Sequence, residues 1–262
     1  SFDPKISFKY IATDKIIIRA SKSSSFSMPS MAQMFSSDIN LGSVRDFNGA
    51  SPFVRQAQIG NPNLKPATSN NFNIGVILRN KNQKISIDYW NIDYKNRIEV
   101  QSAQVLLNTD PYGPSITRNS NGDLIGVTTT YFNEESTEVT GVDLKYDTAL
   151  FSSIEYGEIS LSINATTLID FLTPALGNEG VSKMINRVGK FNYDTNTHSL
   201  PKNRINAFIN WEYSDYDINF NTRYIDGYDN QRPLNSLGMK YGYDNSVDSF
   251  IVHDLSVKRQ IP

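Results

Sequence analysis

The feature that most limits what this chain can fold into is the alternation of its connections. Period-two stretches divide it into about nine strands, and the segments between them are short, then long, in turn. Ile6, Phe8 and Tyr10 mark a first strand. After the Ala12-Thr13-Asp14 turn, Ile16, Ile18 and Ala20 mark a second, with Arg19, Ser21 and Ser23 on its other side. A long, irregular stretch over 25–69 follows. Phe72, Ile74, Val76 and Leu78 then form a hairpin with Ile85, Ile87 and Tyr89 across Asn80-Lys81-Asn82-Gln83. A second long stretch, 99–136, holds Asn121-Gly122 between Ile116 and Leu124, a local hairpin signal.

The same unit recurs with Val142, Leu144 and Tyr146 against Ile159, Leu161, Ile163 and Ala165, followed by the long stretch 169–202. It recurs again with Ile205, Ala207, Ile209 and Trp211 against Ile218, Phe220, Thr222 and Tyr224, then 227–248, before a last strand with Leu255 and Val257. An up-and-down array puts every second connection at the same end. Short turns at one end and long loops at the other are the polarity of outer-membrane barrels, and the strands approach the roughly 9 to 11 residues that cross a bilayer at a tilt. A soluble sandwich also alternates apolar and polar residues, so the polarity of the connections decides.

The polar sides fit a wide aqueous lumen, to which we assign Arg19, Asp143, Lys145, Arg204, Glu212 and Arg223. Tyr89, Trp90, Tyr94, Trp211, Tyr213 and Tyr224 near strand ends suit an interfacial aromatic girdle. The expected fold is therefore all-β, an antiparallel up-and-down transmembrane barrel segment. A closed barrel normally has an even strand count, so residues 1–262 are expected to form part of a larger barrel domain. The mean hydropathy of -0.41 is compatible with this, because a barrel wall shows lipid only every second residue.

Composition excludes other chemistries. With no Cys there is no thiol nucleophile, disulfide or iron–sulfur site, and the two His, His198 and His253, stand far apart. No G-x-S-x-G elbow accompanies either His, so neither an enzyme, a catalytic residue, a metal site nor a cofactor is expected. Gly227-Tyr228-Asp229-Asn230 and Gly242-Tyr243-Asp244-Asn245 read as turns, since neither has the ligand spacing of a calcium loop. A net charge of -2 argues against nucleic acid as a partner.

Specific residues carry a resemblance. Ile18-Arg19-Ala20-Ser21-Lys22-Ser23-Ser24-Ser25-Phe26-Ser27-Met28-Pro29-Ser30, with Gln33 and Phe35, resembles the RASxSxxFRAPSxxQLF stretch of TonB-dependent outer-membrane receptors. Gly60-Asn61-Pro62-Asn63-Leu64-Lys65-Pro66-Ala67-Thr68-Ser69 is similar to their GNPxLKPExS motif, with Ala67 in place of Glu. Asp88 to Ile98 resembles DYYxIDIKNRI. Thr140-Gly141-Val142-Asp143-Leu144, Leu200-Pro201-Lys202-Asn203-Arg204 and His253-Asp254-Leu255-Ser256-Val257 follow in the family's order.

The resemblance implies a barrel of about 22 strands around a plug, of which this chain would hold a run lacking the plug, the TonB box and the closing C-terminal strands. It implies residence in the bacterial outer membrane and active import of a scarce, bulky nutrient such as a siderophore, cobalamin or an oligosaccharide. The partners would be outer-membrane lipid, the nutrient, and the TonB complex through the N-terminal region. A soluble or surface-exposed β-rich binding or adhesion module and a passive porin-type barrel are the alternative functions. Ligand contacts are expected on aromatic and Arg residues of the long loops, namely Tyr112, Arg118, Tyr131, Phe132, Tyr228 and Arg232.

Overall fold

The structure, a computed structural model, describes residues 3–174, 183–192, 199–230 and 240–261. Its elements in chain order begin with β1 (Lys5–Thr13), β2 (Ile16–Ser27), α1 (Met31–Phe35), β3 (Ser37–Ser43), β4 (Phe53–Ile59), β5 (Ala67–Arg79) and β6 (Gln83–Val100). They continue with α2 (Ala103–Thr109), β7 (Ile116–Arg118), β8 (Leu124–Ser153), β9 (Gly157–Pro174), β10 (Met184–Asn186) and β11 (Lys190–Phe191). The last are β12 (Asn203–Tyr213), β13 (Tyr216–Ile225), β14 (Tyr228–Asn230), β15 (Ser246–Val247) and β16 (Phe250–Arg259). The main path of the large sheet is the expected meander of nine strands, β1-β2-β5-β6-β8-β9-β12-β13-β16. Among the described residues no pairing joins β1 to β16, so the wall is open.

Local chemistry sets the register of the short hairpins. Thr13 Oγ1 accepts from the amides of Lys15 and Ile16, each at 3.1 Å. Asn80 Oδ1 accepts from the amides of Asn82 at 2.9 Å and Gln83 at 2.8 Å. Each side chain closes the turn that its backbone leaves unsatisfied. Ser214 adopts φ 51 in the β12–β13 turn.

Because side chains alternate faces and paired residues share one, the register sorts the whole wall. One row runs Lys9, Arg19, Gly75, Asp88, Asp143, Thr166, Arg204. The adjacent row runs Tyr10, Ile18, Val76, Ile87, Leu144, Ala165, Ile205, Tyr224, Ile251 and lies on the opposite face. The second face is apolar and uncovered: Phe8 is 60% and Leu255 68% exposed. No second sheet packs against it among the described residues, unlike the inner face of a β-sandwich.

Three expectations need correction. The strands are longer than a bilayer requires: β6 and β9 have 18 residues and β8 has 30. They run on past the lipid-crossing part because the cross-strand ladder continues between them. The stretch 25–69 is not irregular but holds α1, β3 and β4, and 99–136 holds α2 and β7. Within 99–136 the Asn121-Gly122 signal is realised, with Gly122 at φ +85 between β7 and β8. Finally, Trp90 and Tyr94 share the face of Asp88, not that of Tyr89, because neighbouring residues on a strand cannot share one. A Cβ on Gly141 would run into the Trp90 ring, so this glycine makes room for the indole. Tyr89, Trp211, Tyr213 and Tyr224 remain on the apolar face.

Leu161 pairs with Ile209 on the apolar face, whereas Ser160 pairs with Asn210 on the polar one. With the apolar face against lipid, Leu161→Arg or Ile209→Arg is expected to cost about 2–4 kcal/mol near the bilayer midplane, and Ser160→Arg far less. Heat-modifiability of the intact protein checks this; equal losses would contradict the facing.

Candidate functional site

The polar face carries several hydrogen-bonded or paired charges. Arg19 forks onto Asp88, its Nε donating at 2.8 Å to Oδ1 and its Nη2 reaching Oδ2. Ser86 donates to the same carboxylate at 2.8 Å and accepts from Arg19 Nη2 at 3.1 Å. Any side chain on Gly75 would occupy the space of the Asp88 carboxylate, which explains a glycine mid-strand. Thr166 donates to Asp143 at 2.7 Å, Lys145 lies 3.7 Å from Asp147, and Arg223 donates to Asp254 at 3.1 Å. A concavity of about 590 Å³ opens between Lys9, Ile17, Arg19, Asn73, Asp88 and Asp143. All six residues expected to line a lumen, Arg19, Asp143, Lys145, Arg204, Glu212 and Arg223, lie on this one face.

Towards the long-loop end the polar face is continued by β6 and β8. Asn96 adopts φ 54, a left-handed conformation that asparagine tolerates, and its carbonyl accepts from Asn133 Nδ2 at 2.9 Å. Past this distortion Arg97 donates from Nε to Thr137 at 3.0 Å and to Glu134 at 3.0 Å, and lies 5.6 Å from the Phe171 ring centre. Thr137 belongs to the Val139, Gly141, Asp143 side of β8, so Arg97 has joined the polar face. Its Nη1 also pairs with Glu99. Burial pushes the Glu99 carboxyl above the ordinary range, against the pull of Arg97 and with the help of the Glu134 charge.

Above this cluster the long loops fold into a rim. The order β3-β4-β8-β7 forms an extension of the wall, antiparallel except where β4 runs parallel to β8. Val44, Val54, Leu107, Leu124 and Val127 make its core, with Ala103 and Leu106 of α2 and Ile116 against them. An ion pair clips the rim: Arg118 Nη1 and Nη2 donate to the two oxygens of Asp46 at 2.8 and 2.7 Å. Nε donates to the Pro111 carbonyl at 3.1 Å, and the guanidinium lies 5.0 Å from the ring centre of Phe47 and 4.9 Å from that of Tyr112. The Arg118 hydrogen bonds hold the Asp46 carboxyl below the usual carboxylate range.

The motifs of the resemblance meet here. Ser30 and Gln33 form a capping box at α1, with the Gln33 amide donating to Ser30 Oγ at 3.1 Å. Asn61 donates its amide to the Gln33 carbonyl at 2.9 Å and its side chain to the Tyr131 carbonyl at 2.9 Å. A Cβ on Gly60 would sit 2.6 Å from the Met34 backbone, so only glycine allows this approach. Asn133 accepts from the Lys65 amide at 2.8 Å and donates to the Lys65 carbonyl at 2.9 Å, while also holding Asn96. The three segments are thus clasps that join the rim to the wall.

The expected ligand contacts separate. Arg118 is consumed by its clip, with a side chain 9% exposed, while Tyr112 is 71% exposed. Phe132 pairs with Glu99 and shares its face, whereas Tyr131 pairs with Val100 and faces the other way. Tyr228 stacks on Phe191 at 6.3 Å, away from the rim core. Arg232 and His198 lie outside the described residues. Sequence reasoning missed Asp46, Arg97 and Glu134; the Asn-Arg-Ile end of the third motif was the available signal for Arg97.

A polar-faced, apolar-backed antiparallel wall with a folded rim at one end defines a section of a large transmembrane β-barrel. The chain belongs to the family described as TonB dependent receptor-like, beta-barrel, whose model matches residues 1–261. Family members are receptors and transporters of the bacterial outer membrane. Similar solved structures include the siderophore receptor PirA from Acinetobacter baumannii, 16% identical with a TM-score of 0.61, over 99% of this chain and 35% of that one. A mutant of the ferric enterobactin receptor PfeA from Pseudomonas aeruginosa is 14% identical with a TM-score of 0.63, over 99% and 33%. The copper transporter OprC is 12% identical with a TM-score of 0.57, over 99% and 31%. The chain therefore spans about a third of the length of these structures, and at such identities the likeness is one of fold. No curated protein sequence matches.

The two rim carboxylates respond to pH with opposite signs. Asp46 has a depressed folded pKa, so its contribution is present above the unfolded value of about 3.9 and fades as pH falls through the folded one. Glu99 has a raised folded pKa, so its charge opposes folding as pH rises from about 4.3 through the folded value. At neutral pH, Asp46→Asn should speed amide exchange at Val54 and Val127 about tenfold or more. Glu99→Gln should leave it unchanged or slower.

Proposed function

We propose that this chain is the wall and rim section of an outer-membrane receptor that binds a scarce, bulky nutrient and imports it actively with energy delivered by the TonB complex. The observation that carries the reading is the family match over residues 1–261 on a wall whose long-loop end is built into a folded rim rather than left as plain connections. A passive pore needs only a polar lumen; a receptor needs a held surface at its entrance. Arg19, Asp143, Lys145, Arg204, Glu212 and Arg223 line the lumen in this reading. Phe132 and the exposed ring of Tyr112 contact the ligand, while Arg118 positions Tyr112.

The nutrient in this reading is a siderophore, cobalamin, an oligosaccharide or a similar bulky molecule. Outer-membrane lipid covers the apolar face, and the TonB complex acts through parts of the receptor other than the segments described.

The test is uptake by cells that express the full-length receptor, supplied with radio-iron as ferric siderophores and with labelled cobalamin. Accumulation of one of them should require TonB and a proton motive force. Uptake that persists without TonB would point to the passive porin reading. Recovery of the receptor in the soluble fraction without detergent would favour a soluble binding module.

A further inference from the structure

The outward face of the wall carries one ionisable side chain that its apolar surroundings do not explain. On β12, β13 and β16 the row of Ile205, Tyr224 and Ile251 and the row of Trp211, Ile218 and Val257 point outward, and two more outward rows lie between them. One is Ile209, Phe220 and Leu255; the other is Ala207, Thr222 and His253. His253 is thus set into the lipid-facing surface, one outward position in from Ile251 at the long-loop end of β16.

One of its two ring nitrogens is satisfied. Nδ1 lies 3.0 Å from Thr222 Oγ1, and the ring stacks on Phe220 with 5.6 Å between centres and 11° between planes. No hydrogen bond among the described residues engages Nε2, and the residue is exposed. The nearby acids are turned away or taken. Asp254 lies on the opposite face, where Arg223 donates to it at 3.1 Å. Asp226, beyond Tyr224, accepts from Asn203 Nδ2 and from the Tyr224 hydroxyl, each at 2.6 Å. Strands that complete a barrel continue the sheet past β1 and β16 within its own surface and do not stack on its outward side.

A polar group facing hydrocarbon is costly without a partner, and an ionisable one within a membrane surface marks a functional site. What reaches the outward side at this depth is lipid. The leaflet at the long-loop end of an outer-membrane barrel is built of a phosphorylated glycolipid. Its phosphates lie at the boundary, and the amides and hydroxyls of its acyl chains lie just below. Whichever tautomer the Thr222 hydroxyl selects, these groups supply the acceptor or the donor that Nε2 needs. Ala207, the smallest side chain in these outward rows, leaves room beside Thr222 for an acyl chain. We infer that His253 and Thr222 form a binding site on the lipid-facing wall for the phosphorylated glycolipid of the outer leaflet. The site is independent of any imported nutrient, since it needs only the outward facing of β12, β13 and β16.

The test places the full-length receptor in bilayers of phosphatidylethanolamine and phosphatidylglycerol, with and without purified lipid A, and counts the lipids it retains by native mass spectrometry. Wild type should retain lipid A in preference to phosphatidylglycerol supplied at the same fraction. His253→Leu should lower lipid A retention about tenfold, the worth of one hydrogen bond to a charged group, and Thr222→Val should lower it less. In bilayers without lipid A, His253→Leu should be as heat-resistant as wild type or more so, because an apolar side chain suits phospholipid chains. Equal retention of lipid A by wild type and His253→Leu, or phosphatidylglycerol retained as well as lipid A, would overturn the inference. So would a loss of heat resistance in His253→Leu without lipid A, or a spin label at position 253 shielded from lipid-dissolved oxygen, since the partner of the ring would then be protein.

Discussion

Inside a bilayer no water is available to the backbone, so every N–H and C=O must find a partner on a neighbouring strand. That requirement dictates the continuous ladder from β1 to β16, and the ladder dictates everything else about the wall. Once the register is fixed by Thr13, Asn80 and the other tight turns, each side chain has only two possible destinations. The Arg19 row and the Ile18 row are adjacent in sequence and opposite in surroundings for this reason alone. A slip of one residue would bring Arg19, Asp88 and Asp143 to the apolar side, a cost no set of loop contacts offsets.

The same ladder explains how the rim is held. Strands β6 and β8 leave the apolar zone without ending, and the extension of β8 offers edges on which β4 and β7 pair. A separate small core then forms around Val54, Leu107 and Val127, and the Asp46–Arg118 clip closes it. The motif segments Ser30–Gln33, Gly60–Lys65 and Asn96–Arg97 act through hydrogen bonds between segments. Their amides, carbonyls and one obligatory glycine join rim to wall, so the rim keeps a fixed relation to the polar face beneath it.

Much of the wall is legible in the sequence because period two is a local signal: the hairpins at Asp14, Asn80, Gly157 and Ser214 fall where alternation predicts. The rim is less legible. Ser37–Ser43 and Phe53–Ile59 are short and mix Asn, Gln and Gly with their apolar residues, so their strand character depends on pairing with each other and, for Phe53–Ile59, with β8 about seventy residues away. The assignment of Trp90 and Tyr94 to an aromatic girdle failed because residue type outweighed parity. The change of side near Asn96 depends on one left-handed residue, and no periodicity reports it. Arg118 is an exposed loop arginine by sequence; only the fold brings Asp46 beneath it and makes it a structural clip.

The central claim is that one face of this wall meets lipid and the other an aqueous interior. Strand β12 tests it most directly, because Phe208 is apolar yet lies on the polar face, beside Ser162 and Asn221. Spin labels placed singly from Ile205 to Asn210 in the full-length receptor, in bilayers, report contact with dissolved oxygen in lipid or with a water-soluble nickel chelate. The labels at Ile205, Ala207 and Ile209 should respond to oxygen. Those at Asn206, Phe208 and Asn210 should not. An oxygen-accessible label at Phe208, or the absence of alternation along the strand, would contradict the account.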